Sequence, residues 1–381
     1  MTWLNPMVGR SPDESHRAST PLELFFDLVF VVAIAFAASA LHHSVAEDHI
    51  DGVLVSYAMV FFAIWWPWMN FTWFASAYDT DDVPYRLLVF VQMSGALIVA
   101  AGVPSLFEES DITIALIGYV VMRLAAVTQW LRAAHSDPAH RASALRFATG
   151  IAVVQLAWVL LYFAPGDFLL TGFALLVGAE LLVPVWAERK APTPWHPGHI
   201  AERYGLFTII VLGESILAAS LAIQTAMEFD KIGSMSGLIA GGLLIVFSMW
   251  WLYFEYPSEG LLTSLGRSFI WGYGHYFVWA AAAAVGAGFA VAIDHVTGQA
   301  EIGPTGAGAA VAIPVALYII SLWAVHYLPR GVPGARSLIG PAAAILVLLT
   351  PLSNYAVLLI GLILATLVAV KVAGRERVTT T

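Results

Sequence analysis

The stretch Pro21-Leu-Glu-Leu-Phe-Phe-Asp-Leu-Val-Phe-Val-Val-Ala-Ile34 opens a hydrophobic run that continues as far as Leu41. An apolar run of about 20 residues is long enough to cross a bilayer as a helix, so we predict a membrane span here. Glu23 and Asp27 interrupt this run four residues apart, which places both carboxylates on one face of the helix. Because a charge inside a bilayer costs about 3 kcal/mol unless it is paired or wet, both are candidate functional residues.

The composition of the whole chain is that of a membrane protein. Of its 381 residues, 60% are hydrophobic and only 11% are charged, and the mean hydropathy is +0.80, a balance outside the range of soluble domains. The net charge of −9 and the lack of a basic stripe exclude nucleic acid as a partner. The expected partners are membrane lipids and a small ion or small-molecule substrate, and association into a homo-oligomer stays open.

The absence of cysteine excludes disulfides, cysteine-ligated metals and thiol nucleophiles. No phosphate-binding or dinucleotide-binding glycine motif and no nucleophile elbow is present. We therefore expect no cofactor, and an enzyme is the less favoured interpretation.

Apolar runs bounded by charge, proline or glycine predict an all-α polytopic transmembrane helical bundle of about 12 spans. The spans lie near residues 22–42, 52–76, 84–104, 112–132, 144–164, 168–187, 200–224, 234–256, 268–292, 307–327, 336–350 and 352–371. Only residues 350–354 separate the last two, so a re-entrant hairpin is an alternative there.

The basic residues predict the orientation. Of the 17 Lys and Arg residues, 15 fall on the cytoplasmic side when both termini are placed there, leaving Lys231 outside and Arg123 within the fourth span. This asymmetry follows the positive-inside rule. We therefore predict a multi-pass protein of the cytoplasmic (inner) membrane with cytoplasmic N- and C-termini.

A pattern shared by the two halves predicts an internal repeat. The first and seventh spans begin near Glu23 and Glu202, and the second and eighth end in paired tryptophans. Halves of six spans each have the same orientation in the membrane. The predicted organisation is a cytoplasmic segment 1–20, a first six-helix repeat 21–190, a second six-helix repeat 191–371 and a cytoplasmic tail 372–381.

Candidate site residues were chosen because acids within membrane helices mark ion pathways and proton relays. The transport or binding candidates are Asp27, Glu214, Glu180, Arg123, Glu23, Glu202, Glu255, His275, Trp65, Trp66, Trp68 and Asp79. No catalytic, cofactor-binding or metal-ligating residue is assigned.

The candidate acids differ in depth. Glu214 lies about 18 Å along the seventh span from its inner end, and Glu180 lies inside the sixth. For these two and Asp27 we favour a place on a pathway or in a binding site. Three acids lie near inner helix ends: Glu23, Glu202 and Glu255. Interfacial solvation, helix-end electrostatics or an ordinary salt bridge explains them equally well.

The remaining candidates each have two interpretations. Arg123 is the natural counter-charge for a buried acid, either as part of a gate or as a structural ion pair. His275 either relays protons or is a satisfied core histidine. The tryptophans of residues 65–68 suit an aromatic belt at the headgroups, which we favour, or a stacking platform for an organic ligand. Asp79 belongs to an acidic loop that is either solvated or the mouth of a cation path.

Two of these motifs carry a family resemblance over roughly residues 20–370. Leu22-Glu-Leu-Phe-Phe-Asp27-Leu-Val-Phe30 and Glu202-Arg-Tyr-Gly-Leu-Phe-Thr-Ile-Ile-Val-Leu-Gly-Glu214, with the tryptophan-rich stretch that ends at Asp82, resemble the bacterial low-temperature-requirement A family (LtrA). The resemblance implies a multi-span cytoplasmic-membrane protein named for a growth phenotype in the cold. It implies no settled molecular activity.

A more distant similarity is to the endolysosomal potassium-channel family with two six-helix repeats. That family carries a Phe-Ser-Asp signature in its first helices, which Phe25-Phe26-Asp27 matches in part. The second half has Tyr204-Gly205-Leu206 and no aspartate there. These departures argue against potassium conduction and leave the shared architecture as an expectation.

Buried acids, a lone buried arginine, repeats and the lack of enzyme motifs favour a cation- or proton-coupled transporter or channel. One alternative is a membrane-embedded enzyme or lipid-handling protein, in which the acids act as general acids and bases. Another is a sensor or scaffold for cold adaptation, in which the acids are structural locks.

Overall fold

A computed structural model describes residues 3–12, 14, 17–189, 191–228, 232–331 and 337–379, and within these ranges the regular structure is entirely helical. Lys190, Lys231 and Arg336, which enter the orientation argument, lie outside the described residues. The twelve α-helices of these ranges are α1 (Pro21–Ala46), α2 (Val53–Tyr78), α3 (Val83–Glu109), α4 (Thr113–Ser136), α5 (Arg141–Tyr162), α6 (Leu169–Ala187), α7 (Pro197–Glu228), α8 (Ile232–Phe254), α9 (Leu265–Thr297), α10 (Pro304–Leu322), α11 (Ile339–Leu349) and α12 (Ala356–Thr379).

Eleven helices in the described ranges are long and apolar enough to cross a membrane. This confirms the predicted polytopic helical bundle. The remaining apolar helix is α11, which with the 3₁₀ turn Thr350–Leu352 reaches about 22 Å, short of a full bilayer core.

The short helix α11 runs back along α10 in the opposite direction. At its start, Trp323 Nε1 donates a hydrogen bond of 2.7 Å to the carbonyl of Ser337. At its end, a Cβ placed on Gly308 would lie 3.2 Å from Pro351 Cα. Because Gly308 lies near the first turn of α10 and Trp323 near its end, α11 covers most of the height of α10. The choice between a crossing segment and a re-entrant hairpin stays a prediction, since the segment is shorter than the bilayer core.

The chain divides into two compact units. Unit 1 comprises Met1–Phe36 and Val60–Tyr204, and unit 2 comprises Ala37–Met59 and Gly205–Thr381. The predicted pair of six-helix repeats with a boundary at residues 190/191 stays a prediction.

Close helix contacts in unit 1 depend on glycine. A Cβ on Gly118 of α4 would lie 2.5 Å from the carbonyl oxygen of Gly95 on α3, and a Cβ on Gly95 would lie 2.7 Å from that of Gly118. The two backbones therefore approach more closely than any side chain allows, as small residues permit in membrane helices.

The inner end of unit 1, in the predicted orientation, is built from the N-terminal segment and helix ends. Asp82 caps α3 by accepting a hydrogen bond of 3.0 Å from Tyr85 N, and Arg132 forms an ion pair with the same carboxylate. The guanidinium of Arg17 donates to the carbonyls of Ala75 and Ser76 near the end of α2. These bonds satisfy groups that a helix end leaves without intrahelical partners.

Candidate functional site

Two carboxylates of α1 share a single arginine of α7. Arg203 Nη2 lies 2.5 Å from Asp27 Oδ1, and Arg203 Nη1 lies 3.0 Å from Glu23 Oε1. All three side chains are at most 1% exposed. Helix α7 begins at Pro197, three residues before the predicted start. Proline suits the first turn of a helix.

Neighbouring side chains fix the two carboxylates. Trp68 Nε1 donates a hydrogen bond of 2.7 Å to Asp27 Oδ1. Thr20 and Glu23 form a capping box, because Thr20 N donates to Glu23 Oε2 at 2.8 Å and Glu23 N donates to Thr20 Oγ1 at 3.3 Å. His199 Nε2 lies 3.2 Å from Glu23 Oε1. We call Glu23, Asp27, His199 and Arg203 the shared-arginine cluster.

The charges of the shared-arginine cluster do not balance when both acids are ionised and His199 is neutral. Within ion-pairing distance, two carboxylates then face one guanidinium, which leaves one negative charge in a fully buried site, and the charge of Arg17 acts on Glu23 at longer range. Among the described residues, no hydrogen-bond partner lies at the buried atoms Asp27 Oδ2, Glu23 Oε1 and His199 Nδ1. One additional proton would neutralise the cluster, and an uncompensated buried charge is strongly unfavourable.

A second buried cluster in unit 1 surrounds Glu180 of α6. Arg123 Nη2 donates to Glu180 Oε2 at 2.7 Å, and Trp66 Nε1 donates to the same oxygen at 2.9 Å. Tyr119 OH and Trp158 Nε1 donate to Oε1 at 2.9 and 3.3 Å. Four donors fill the acceptor capacity of an ionised carboxylate. The counter-charge of Glu180 is therefore Arg123, in a cluster whose charges balance.

The tryptophans of the second span lie in the interior of unit 1. Trp65 is 2% exposed and Trp66 and Trp68 are not exposed at all. An aromatic belt at the headgroups predicts exposed indoles, so that interpretation is wrong for these three residues. Trp66 and Trp68 instead donate indole hydrogen bonds to buried carboxylates. Hydrogen bonds to an ionised group are strong, and they offset part of the cost of burying the charge.

Two candidates lie at the end of unit 1 that carries the N-terminal segment. Glu202 Oε1 accepts a hydrogen bond of 3.1 Å from Ser19 N. Asp79 follows the last residue of α2, and its carboxylate lies 4.0 Å from Arg10 Nη1. Burial, together with the negative charge of Glu23, raises the pKa of Asp79 to about 6, although Arg17 and Arg10 oppose the shift. Asp79 therefore titrates closer to neutral pH than an ordinary aspartate.

The other three candidates lie in unit 2. Glu255 follows α8 and accepts hydrogen bonds from Tyr327 OH and, at 3.2 Å, from Lys371 Nζ. His275 Nε2 lies 3.0 Å from Tyr253 OH, as expected for a satisfied core histidine. Glu214 is partly exposed near the middle of α7, and within the described part of the chain its carboxylate has no hydrogen bond or ion pair.

Sequence reasoning missed Arg203 and His199 as site residues. Arg203 enters the sequence argument only as one of the 15 basic residues placed on the cytoplasmic side, and His199 carries no expectation there. The spacing along the chain gave one indication of their role, because both residues lie within two turns of the candidate Glu202 on the same helix. No local pattern links them to α1, since Asp27 and Arg203 are separated by 176 residues.

Comparison with known proteins identifies the family of this chain. The family model for the bacterial low temperature requirement A protein (LtrA) matches residues 18–373. The chain belongs to this family. The LtrA match includes every residue of the shared-arginine cluster and of the Glu180 cluster, so both lie within the family's own region.

One curated relative of this LtrA chain is the "Uncharacterized protein RA0937" of Rhizobium meliloti (strain 1021). The two are 29% identical over 248 residues, which cover 63% of this chain and 58% of the relative. This chain thus aligns with less than two thirds of the relative's length. The name of that relative gives no activity, so it carries no information on the function of this LtrA protein.

Proposed function

We propose that this LtrA protein is a proton-coupled membrane transporter in which the shared-arginine cluster takes up and releases one proton. The observation that carries the proposal is the excess of one carboxylate over guanidinium in a fully buried site. A site that is one proton short of neutrality responds to proton binding by changing its net charge and its hydrogen bonds. Transporters that couple to protons use intramembrane carboxylates in this way.

Asp27 is the residue proposed to accept the proton. Glu23 Oε2 accepts a hydrogen bond from Thr20 N, and Glu23 Oε1, which has no hydrogen bond, lies 3.0 Å from Arg203 Nη1 and 3.2 Å from His199 Nε2. Asp27 Oδ2 also has no hydrogen-bond partner among the described residues. Protonation of that oxygen would weaken the pairing of Asp27 with Arg203 and leave Arg203 with Glu23. The contact between α1 and the first turns of α7 therefore changes when Asp27 gains or loses its proton. This change is the proposed origin of a conformational step.

The experiment measures proton movement directly. Purified protein is reconstituted in liposomes that contain a trapped pH-sensitive dye, and an inward proton gradient is imposed with potassium and valinomycin as the counter-current. Wild type should dissipate the gradient faster than empty vesicles, and Asp27→Asn should return the rate to that of empty vesicles. Equal rates for Asp27→Asn and wild type would overturn the assignment.

We also propose that both termini are cytoplasmic, in the inner membrane. Because the chain contains no cysteine, single cysteines can be introduced without removing any native ones. Asp51→Cys, between α1 and α2, should react with a membrane-impermeant maleimide in intact cells. Ala139→Cys, between α4 and α5, should react only after the cells are permeabilised. The reverse pattern would exclude this orientation.

The alternatives receive less support. A lipid-handling protein or membrane-embedded enzyme needs an accessible tryptophan platform, whereas Trp66 and Trp68 are buried and bonded to acids. A cold-adaptation sensor or scaffold with structural acids is supported by the saturated Glu180 cluster alone. Its mark would be that substitutions in the shared-arginine cluster abolish folding rather than proton movement.

A further inference from the structure

Glu214 differs from the other acids buried in the membrane helices because nothing in the described chain compensates it. It lies about 26 Å from the start of α7 and about 21 Å from its end, near the middle of the helix. Glu180 has four donors. The carboxylate of Glu214, by contrast, has no partner among the described residues.

The parts of α7 and α9 that lie around Glu214 carry no other titratable side chain. On α7 it is the one titratable residue between 205 and 227. The facing part of α9 packs closely, because a Cβ on Gly286 would lie 3.3 Å from the carbonyl carbon of Glu214. Residues 277–293 of α9 contain no titratable side chain. The adjacent hydroxyl, that of Ser215, is directed to the carbonyl of Ala282 at 3.3 Å.

The outer side of α7 at this level faces away from the rest of unit 2. Ile216 and Leu217 are 51% and 55% exposed. A Cβ on Gly213 would have no described atom within 4 Å outside its own helix and neighbours. A partly exposed carboxyl in the middle of an apolar helix face therefore borders the hydrocarbon of the bilayer.

We propose that Glu214 is a proton-binding carboxyl that faces the hydrocarbon of the bilayer, and that hydrophobic carbodiimides modify it. An ionised carboxylate at this position has no counter-charge among the described residues and would border hydrocarbon, so the neutral acid is the form that fits. A metal cation needs several oxygen ligands, and the described residues include no group of three His, Asp or Glu side chains that could hold one. The ligand is therefore the proton. This site binds a proton whether or not the shared-arginine cluster transports one.

The modification needs only the protonated acid. The carboxyl oxygen adds to the central carbon of the carbodiimide, the acid proton moves to a nitrogen, and the O-acylisourea rearranges to a stable N-acylurea. No oxidant or further reactant is involved. A reagent that dissolves in lipid reaches an acid in the hydrocarbon, whereas a water-soluble carbodiimide does not.

The test uses full-length protein in liposomes of phosphatidylcholine and phosphatidylglycerol. We expect N,N′-dicyclohexylcarbodiimide at neutral pH to label Glu214, as located by peptide mass spectrometry, and the rate to fall as the pH is raised. Glu214→Gln should lose this label. The matched control, Glu228→Gln, changes an exposed acid at the end of the same helix and should keep the label on Glu214. Glu228 itself should react with the water-soluble reagent and an added amine.

Three results would overturn the proposal. The first is an unlabelled Glu214 in a sample whose Glu228 reacts with the water-soluble reagent. The second is equal labelling of Glu214 by both reagents, which would place it in water. The third is protection by sodium chloride but not by choline chloride, which would make the ligand a metal cation. Labelling should persist in Asp27→Asn, so failure of proton transport and failure of this site are distinguishable.

Discussion

Replacing a carboxylate with an amide should destabilise the Glu180 cluster far more than the shared-arginine cluster. Glu180→Gln removes the negative partner of Arg123, which lies 2.7 Å away and is 1% exposed. Removing one partner of a buried ion pair leaves an uncompensated charge and costs about 3–5 kcal/mol. The amide group of Gln also places a donor where Trp66 or Tyr119 already donates, which leaves a further polar group unsatisfied.

Asp27→Asn should be tolerated far better. The substitution weakens the bonds from Arg203 and Trp68, and a hydrogen bond to a charged group is worth about 1.5–3 kcal/mol. It also removes the surplus negative charge, so Arg203 remains paired with Glu23 alone and the cluster becomes neutral. Because these two effects oppose each other, we expect a net loss of about 1 kcal/mol or less. The free energies of unfolding of the two variants should therefore differ by at least about 2 kcal/mol.

The assay is reversible unfolding in mixed micelles, followed by circular dichroism and by the fluorescence of the 14 tryptophans. Both variants are measured in the same detergent beside wild type, and the free energy of unfolding is compared at neutral pH. Equal losses in the two variants, or a greater loss in Asp27→Asn, would refute the charge count. In that case a protonated His199 would already balance the wild-type cluster.

Three further outcomes follow from the geometry. Burial raises the folded-state pKa of Asp79 from 3.8 to about 6, so ionising Asp79 reduces the stability of the protein as the pH rises between those values. Above about pH 6, Asp79→Asn should therefore have a higher free energy of unfolding than wild type, by up to about 3 kcal/mol. Below about pH 4 the two should match. Arg17→Met removes two buried donations to carbonyls near the end of α2 and should cost about 2–4 kcal/mol in the same micelle assay. Arg86→Met breaks an exposed ion pair with Asp81 and should leave the free energy of unfolding close to that of wild type. Gly118→Ala should separate α3 from α4 and lower the melting temperature. In Gly178→Ala the added methyl group meets no described atom within 4 Å, so this variant should raise helix stability by about 1 kcal/mol. The reverse order of melting temperatures would contradict the packing argument.

The helices and the burial of their acids could be predicted because both are local properties. Hydrophobic run length determines where a membrane helix forms, and Asp27 and Glu180 belong to such runs whatever their neighbours are. The twelve predicted segments are accordingly present as helices, including α11, which the sequence marked as the least certain. The start of α7 was missed by three residues because His196-Pro197-Gly198 resembles a loop, whereas the structure uses Pro197 to begin the helix.

The pairing of the acids could not be predicted because it is set by contacts between distant helices. Arg203 satisfies the positive-inside rule as well as any exposed arginine does. Its position in the sequence therefore does not reveal that it pairs with buried acids. The same reasoning led us to expect surface tryptophans at residues 65–68. The indole nitrogens of Trp68 and Trp66 donate to carboxylates that lie 41 and 114 residues away, and no spacing rule connects residues across such distances.

Burial alone therefore does not identify the functional acid, and charge balance separates three cases among carboxylates that look alike in the sequence. Glu180 has a counter-charge and a full set of donors, so a change in its protonation would break more bonds than it forms. Asp27 and Glu23 share one arginine, so a proton improves the balance of their cluster and can bind and leave at modest cost. Glu214 has no partner within the described residues, so it holds its proton until water or a base reaches it. Proton exchange is accordingly expected at the two unbalanced sites, and rigidity at the balanced one.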